Sequence, residues 1–236
     1  MIKTNESEAP STLTTLARLE LAESRARIYG ILASVYVRPV DAQLLELLRI
    51  WVETDLPPGA VPRMMKRGLR TLRIWLKRRG SPPTEELFTA LSAEFTRLFR
   101  GLNRFQSPPP PYESVYLDNG ILYGASTLRI IEKYRQFRLK AKDNEPPDHI
   151  ALELDFMRFL CEREAKAREN EDGVRNLLQY EYVFLTDTLA GWVPAFCENI
   201  RKFDATGFYD SLADVTEGWI YDDQKIIKGL IVLETK

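Results

Sequence analysis

The stretch HIALELDFMRFLCERE, residues 149–164, places apolar side chains around most of the circumference of the helix that it predicts. A helix that is apolar on nearly every face is buried by its neighbours. Apolar residues also recur every three or four positions through most of the chain, which is the helical period, and strand signals are scarce. We therefore predict an all-α fold, a helical bundle with residues 149–164 at its centre.

The chain of 236 residues is long for one domain and short for two. Because an all-helical bundle of this size can share one core, we predict a single domain over residues 1–236, built from about eight to ten helices. Asp41 and Thr84 are predicted N-caps, and Asp148 is predicted to cap the central helix. The other predicted helices cover residues 14–37, 61–79 and 125–139, two further segments that break near residues 191–194, and a last one from Phe208.

The ends of the chain carry weaker patterns. The tail from Tyr221 alternates weakly, so we predict a short strand or a disordered end there. Residues 1–13 and 222–236 are accordingly expected to be flexible.

Residues 100–118 form the most unusual segment, with four consecutive prolines at 108–111 among several aromatic residues. Such a run predicts a loop in place of a helix or a central strand. A polyproline rod can serve as a rigid wall for a binding groove, or as a plain crossover between two halves of the bundle. Both interpretations remain open at this point.

Composition limits the function classes. The chain has 33 basic and 34 acidic side chains, so no overall field attracts nucleic acid or an anionic membrane. It has only two cysteines, its first residues do not resemble a secretion signal, and no stretch is long and apolar enough to cross a bilayer. We therefore expect a cytoplasmic protein with free thiols and without stable membrane insertion.

Most catalytic chemistries are disfavoured because His149 is the only histidine. A four-ligand zinc site and a di-iron bundle site both need more histidine or cysteine ligands than the chain has. The phosphate-loop pattern GxxxxGK[ST] and a GxGxxG motif after a strand are also absent. Asp148 and His149 are neighbours that point in different directions, so a catalytic pair is disfavoured, and we expect a protein that is not an enzyme and has no metal site.

The block EPPDHIALELDFMRFL, residues 145–160, resembles the signature of the TorD/DmsD/NarJ family of redox-enzyme maturation chaperones. The block EFTRLFRGLNRFQSPPPPYESVYLD, residues 94–118, resembles a second family signature. RARIYGILASVYVRP at 25–39, LAGWVPAFCENI at 189–200 and GFYDSLAD at 207–214 are similar to further family segments. The resemblance covers most of the chain, with the difference that Thr188 stands where the family often has histidine.

The resemblance implies a chaperone that binds the twin-arginine leader peptide, and in some cases the apo-form, of a molybdoenzyme catalytic subunit until its molybdenum cofactor is inserted. A receptor for such a leader needs an apolar groove with acidic groups at its mouth. The predicted peptide-binding residues are Leu98, Phe99, Pro111, Tyr112, Glu113, Ser114, Tyr116, Glu145, Asp148 and His149, with Val115 beside them. The sequence leaves open whether the chain is a monomer or a homodimer.

Two alternatives belong to other function classes. One is a protein that binds GTP or hydrolyses it slowly, because nucleotide binding has been proposed for members of the family. We expect no required cofactor, and at most a weak contact with GTP or molybdopterin. The other is nucleic-acid binding through the predicted helix at 63–79, which carries eight basic residues and no acidic one. A solvated outer face is the favoured explanation of that helix, since its other side is apolar, and we expect no nucleic-acid partner.

Overall fold

A computed structural model of the chain describes residues 15–53, 63–80, 82–100, 107–141, 145–167 and 171–233. Within these ranges the chain is helical, and its extended pairing is limited to one isolated bridge. The first four helices are α1 (Thr15–Val37), α2 (Ala42–Glu53), α3 (Arg63–Arg78) and α4 (Glu85–Phe99). Then follow α5 (Glu113–Leu117), α6 (Ala125–Gln136), α7 (Ile150–Lys166), α8 (Glu171–Phe184), a π-helical segment (Leu185–Leu189), α9 (Ala190–Phe203) and α10 (Phe208–Leu233).

The prediction of an all-α single domain is confirmed, and the ten α-helices of the described ranges fall within the predicted number. Asp41 and Thr84 each accept a hydrogen bond from the backbone three residues on, at Leu44 and Leu87, as predicted for N-caps. None of the helices in the described ranges is long and apolar enough to cross a membrane.

The central pair of helices is α1 and α7, which run antiparallel, since Arg25 contacts Glu164 while Gly30 faces Arg158. The predicted central position of residues 149–164 is confirmed, because α7 buries side chains along its whole length. Around this pair the other helices share one hydrophobic core.

A second close crossing joins α3 to α10 through two glycines. A Cβ at Gly68 would lie 2.7 Å from the backbone N of Val215, and a Cβ at Gly218 would overlap the backbone of Met65. Both glycines therefore let two helix backbones approach closely.

A buried charge cluster fastens α1 to three other helices. The guanidinium of Arg25 is fully buried and donates hydrogen bonds to Glu164 at 2.7 Å, Glu181 at 2.5 Å and Asp223 at 2.6 Å. Tyr29 donates a further hydrogen bond to Asp223 at 2.7 Å. Burial raises the pKa of Glu181 to about 8, and the Arg25 guanidinium beside it offsets this rise only in part.

Three expectations for the fold are wrong. The segment from Tyr221 to Leu233 is neither a strand nor disordered, because it continues α10 and buries Asp223, Ile227 and Leu230. The break expected near residues 191–194 is absent, since Pro194 lies inside α9 and the π-helical segment precedes it. The loop expected over 100–118 contains α5, which starts directly after the prolines; residues 101–106 lie outside the described ranges.

Candidate functional site

The end of the proline run pairs with the chain that enters α7. Tyr112 and His149 form an isolated antiparallel bridge. The N–H of Glu113 donates to the carbonyl of Asp148 at 2.9 Å, and the N–H of Ile150 donates to the carbonyl of Pro111 at 3.0 Å. We call residues 110–114 and 145–150 the α5–α7 junction. Two segments that lie more than 30 residues apart in the sequence are thereby fixed side by side.

Asp148 caps α5, and the prediction that it caps α7 is wrong. Its Oδ2 accepts a hydrogen bond from the backbone N–H of Ser114 at 2.9 Å, and its side chain is fully buried. Ser114 is equally buried. The Asp148 carboxylate therefore holds the first turn of the five-residue helix in place.

His149 takes the cap position of α7 instead. Its Nδ1 accepts a hydrogen bond from the N–H of Ala151 at 3.1 Å, and its Nε2 lies 3.8 Å from Glu145 Oε1. Burial lowers the pKa of His149 to about 4, and the nearby Glu145 carboxylate only partly offsets this. The imidazole is therefore neutral at physiological pH, as its role as an acceptor requires.

Tyr112 connects the two halves of the junction. Its hydroxyl donates to Glu145 Oε1 at 2.6 Å, and its ring packs edge-on against the imidazole of His149 with 5.3 Å between centroids. Glu145 keeps about a quarter of its side chain exposed, and Arg100 Nη1 lies 3.6 Å from its Oε2. Glu145 is thus the carboxylate of the junction that solvent reaches most directly.

Three buried carboxylates lie behind this surface. Glu113, Asp148 and Glu153 each have one carboxylate oxygen, Oε2, Oδ1 and Oε1 respectively, that is buried without a hydrogen-bond partner. Burial, reinforced by the neighbouring carboxylates, raises the pKa of Glu113 to about 7 and that of Glu153 well above its usual range. The cluster favours a proton or a cationic partner, although no described group of three such residues is arranged to hold a metal ion.

Glu153 was missed in the sequence. Its Oε2 accepts a hydrogen bond from the indole N–H of Trp192 at 3.1 Å, which ties α7 to α9. The available signal was an acidic residue on a helix that is apolar around most of its circumference, because a buried carboxylate there needs a partner.

An exposed apolar surface adjoins the junction and was also missed. The turn between α5 and α6 leaves Ile121 61% and Tyr123 65% exposed. Backbones with positive φ at Asn119, Gly120 and Tyr123 form the turn. We call this surface the apolar turn; its exposed side chains are those of Leu117, Ile121, Leu122 and Tyr123.

The predicted apolar wall is divided between surface and core. Tyr112, Val115 and Tyr116 are half-buried, and the ring of Tyr116 packs on Phe196 at 6.2 Å. Phe99 lies one layer deeper, 6.1 Å from Phe196, and both Leu98 and Phe99 are buried in the core. Leu98 and Phe99 therefore support the wall from behind in this structure.

The basic helix α3 is partly neutralised by other helices. Arg67 donates to Asp214, while Arg73 and Lys77 contact Glu53. These ion pairs agree with a solvated outer face whose charges fasten α3 to α2 and α10.

A separate groove of about 630 Å³ lies between α6, α7 and α8, lined by Phe137, Arg163, Lys166, Leu177 and Tyr180 among others.

Comparisons with known proteins agree on one group. The family model of the nitrate reductase delta subunit matches residues 61–198. The chaperone protein TorD of Vibrio cholerae serotype O1 (strain ATCC 39541) is 31% identical over 214 residues, which cover 89% of this chain and 95% of that protein. TorD of Shewanella oneidensis is 25% identical over 92% of this chain and 96% of its own.

A solved structure supports the fold. The crystal structure assigned as a redox enzyme maturation protein from Archaeoglobus fulgidus matches with a TM-score of 0.50 and 22% identity, covering 81% of this chain and 91% of that one.

Proposed function

The chain belongs to the TorD/DmsD/NarJ family of redox-enzyme maturation chaperones, and from this premise we propose that its α5–α7 junction binds the twin-arginine leader of a molybdoenzyme catalytic subunit. Members of the family are named chaperones, so its task is binding and not catalysis. Binding of the leader by the chaperone in the cytoplasm would hold back export of the catalytic subunit until the molybdenum cofactor is in place.

The arginines of the leader would be recognised by carboxylates of the junction. Glu145 is partly exposed and is oriented by the Tyr112 hydroxyl. Glu113 carries a buried oxygen without a partner, and a planar guanidinium can donate two parallel hydrogen bonds to one carboxylate. The unsatisfied carboxylates of the junction are the observation that carries this proposal.

The apolar stretch of the leader would lie along the apolar turn. Amphipathic and apolar helical segments bind by laying their apolar faces against exposed hydrophobic side chains. Leu117 is the last residue of α5, and the half-buried rings of Tyr112 and Tyr116 lie on the same segment. The acidic and the apolar parts of the proposed site are therefore continuous along the chain.

The remaining predicted residues would support the binding surface from the interior of the protein. Pro111, Ser114, Asp148 and His149 are buried, and they hold α5 against the start of α7. Leu98 and Phe99 lie in the core behind Tyr116. We propose that these residues position the binding surface and do not contact the leader.

Calorimetric titration of the chain with a synthetic twin-arginine leader tests the proposal. A peptide in which two lysines replace the two arginines should bind about 10-fold more weakly, because lysine cannot donate two parallel hydrogen bonds to one carboxylate. Glu145→Gln should remove most of that discrimination, whereas Glu132→Gln on the exposed face of α6 should preserve it. Equal affinity for both peptides would argue against arginine recognition.

A further inference from the structure

Two arginines of this chain already lie beside the carboxylates that the proposed function assigns to the leader. Arg129 Nη2 is 3.7 Å from Glu113 Oε1, and Arg100 Nη1 is 3.6 Å from Glu145 Oε2. Arg129 belongs to α6, while Arg100 directly follows α4, so the two guanidiniums come from different elements.

Both contacts are loose. Charge-assisted hydrogen bonds from guanidinium to carboxylate are about 2.7–2.9 Å long, and neither contact reaches that range. Arg129 is 53% exposed and Arg100 is 42% exposed. By contrast, the fully buried Arg25 donates to its carboxylates at 2.5–2.7 Å. Because each guanidinium is about half exposed and stands too far from its carboxylate for a direct hydrogen bond, each contact contributes little to stability, and an incoming group can replace it.

The contact of Arg129 also shows a route to a buried carboxylate. Glu113 is only 1% exposed, yet a guanidinium on a half-exposed side chain comes within 3.7 Å of its Oε1. Arg129 donates its own hydrogen bond elsewhere, to Ser126 Oγ at 2.7 Å. The other carboxylate oxygen of Glu113, Oε2, is buried without a partner. A guanidinium can therefore approach Glu113 from the surface. The Glu113 carboxylate can still accept a further hydrogen bond, since its Oε2 has no partner.

We propose that Arg129 and Arg100 are internal competitors, which cover Glu113 and Glu145 while the site is empty and are displaced by the arginines of the leader. This inference rests on the proposed function. The exchange replaces one guanidinium by another, so the carboxylates never lose a cationic neighbour. Displacement also requires a ligand with guanidinium groups in this place, which restricts occupancy to arginine-bearing segments.

The test is the affinity of Arg129→Gln, Arg100→Gln and the double variant for the same synthetic leader in calorimetry. Removing a competitor should tighten binding by about 3-fold for each arginine, because one weak ion pair no longer has to be broken. The matched control is Arg135→Gln. Arg135 lies on the same helix as Arg129 and also stands 3.7 Å from a carboxylate, that of Glu132, so its loss changes the net charge equally and should leave the affinity unchanged.

A double-mutant cycle separates competition from a general effect of charge. In the background of Glu113→Gln, Arg129→Gln should no longer alter affinity, because the two residues then share no ion pair. Unchanged or weaker binding by both single variants would overturn the inference, as would equal tightening by Arg135→Gln. Failure of the wild-type chain to bind the leader would instead refute the proposed function itself. Arg100→Gln keeps the test valid if Arg129→Gln does not fold.

Discussion

The carboxylate of Asp148 accepts a hydrogen bond from the backbone N–H of Ser114, 34 residues earlier in the chain, at a distance of 2.9 Å. This bond joins the first turn of α5 to the segment that enters α7. Both residues are fully buried, so the contact is an internal fastening of the α5–α7 junction.

Asp148→Ala should therefore weaken the fold and the proposed site together. The buried N–H of Ser114 would lose its acceptor, which costs about 2 kcal/mol of unfolding free energy. Urea denaturation measures the loss, and leader affinity should fall in parallel. Asp41→Ala is the control, because it removes the exposed N-cap of α2 and should cost about 1 kcal/mol without changing leader affinity. Wild-type stability of Asp148→Ala would contradict the assigned role.

His149 should make stability sensitive to acid. Its pKa is about 4 in the folded chain against 6.5 in the unfolded one, so the unfolded chain binds more protons between these values. The contribution of His149 is complete above pH 6.5 and is lost as pH falls towards 4, by about 3 kcal/mol in total. His149→Asn keeps a capping oxygen but does not titrate.

The measurement is the difference in unfolding free energy between wild type and His149→Asn at several pH values, which cancels the titration of the other groups. This difference should shift against the wild type as the pH falls from 6.5 to 4. A constant difference would show that the imidazole is not held neutral.

The Arg25 cluster should give the opposite pH dependence. Glu181 has a folded pKa of about 8 against 4.5 in the unfolded chain, so the folded chain binds more protons between these values. Its contribution is therefore present below pH 4.5 and declines as pH rises through 8, by up to about 1.4 kcal/mol per pH unit. Glu181→Gln should flatten the decline of stability between pH 6 and 9 in urea denaturation. Parallel curves for the two proteins would contradict the raised pKa.

Gly218→Ala should separate α3 from α10. The added methyl group would overlap the backbone of Met65, which cannot rotate away, so we expect a loss of about 2 kcal/mol of unfolding free energy. Gly229→Ala on the same helix has open space around its Cβ and should instead stabilise the chain by about 0.5–1 kcal/mol. Thermal unfolding of both variants provides the comparison, and equal effects would refute close packing at Gly218.

The sequence predicted the helical class well because the helical period is a local property that α7 expresses along its whole length. The cap of α7 was assigned to the wrong neighbour for a tertiary reason. Asp is a better N-cap than His by local preference, but Asp148 is taken by Ser114, and His149 is left to accept from Ala151. Local preference cannot foresee a competing partner on another helix.

The prediction for the C-terminal segment from Tyr221 was wrong for a similar reason. Asp223 interrupts an apolar pattern unless its partner is known, and that partner is Arg25, 198 residues away. The structure brings Tyr112, Glu145, Asp148 and His149 together as the sequence predicted, while their role in binding a leader stays a prediction. The burial of Glu113 and the hydrogen bond between Glu153 and Trp192 were not predicted, because both depend on how α5 and α9 pack against α7.

The most direct test of the α5–α7 junction as the leader site is photocrosslinking with a leader peptide that carries a photoreactive residue beside its two arginines. Mass spectrometry of the digested product should locate the crosslinks within residues 107–123 and 145–150. Crosslinks confined to α3, or to the groove around Phe137 and Tyr180, would contradict the proposed site.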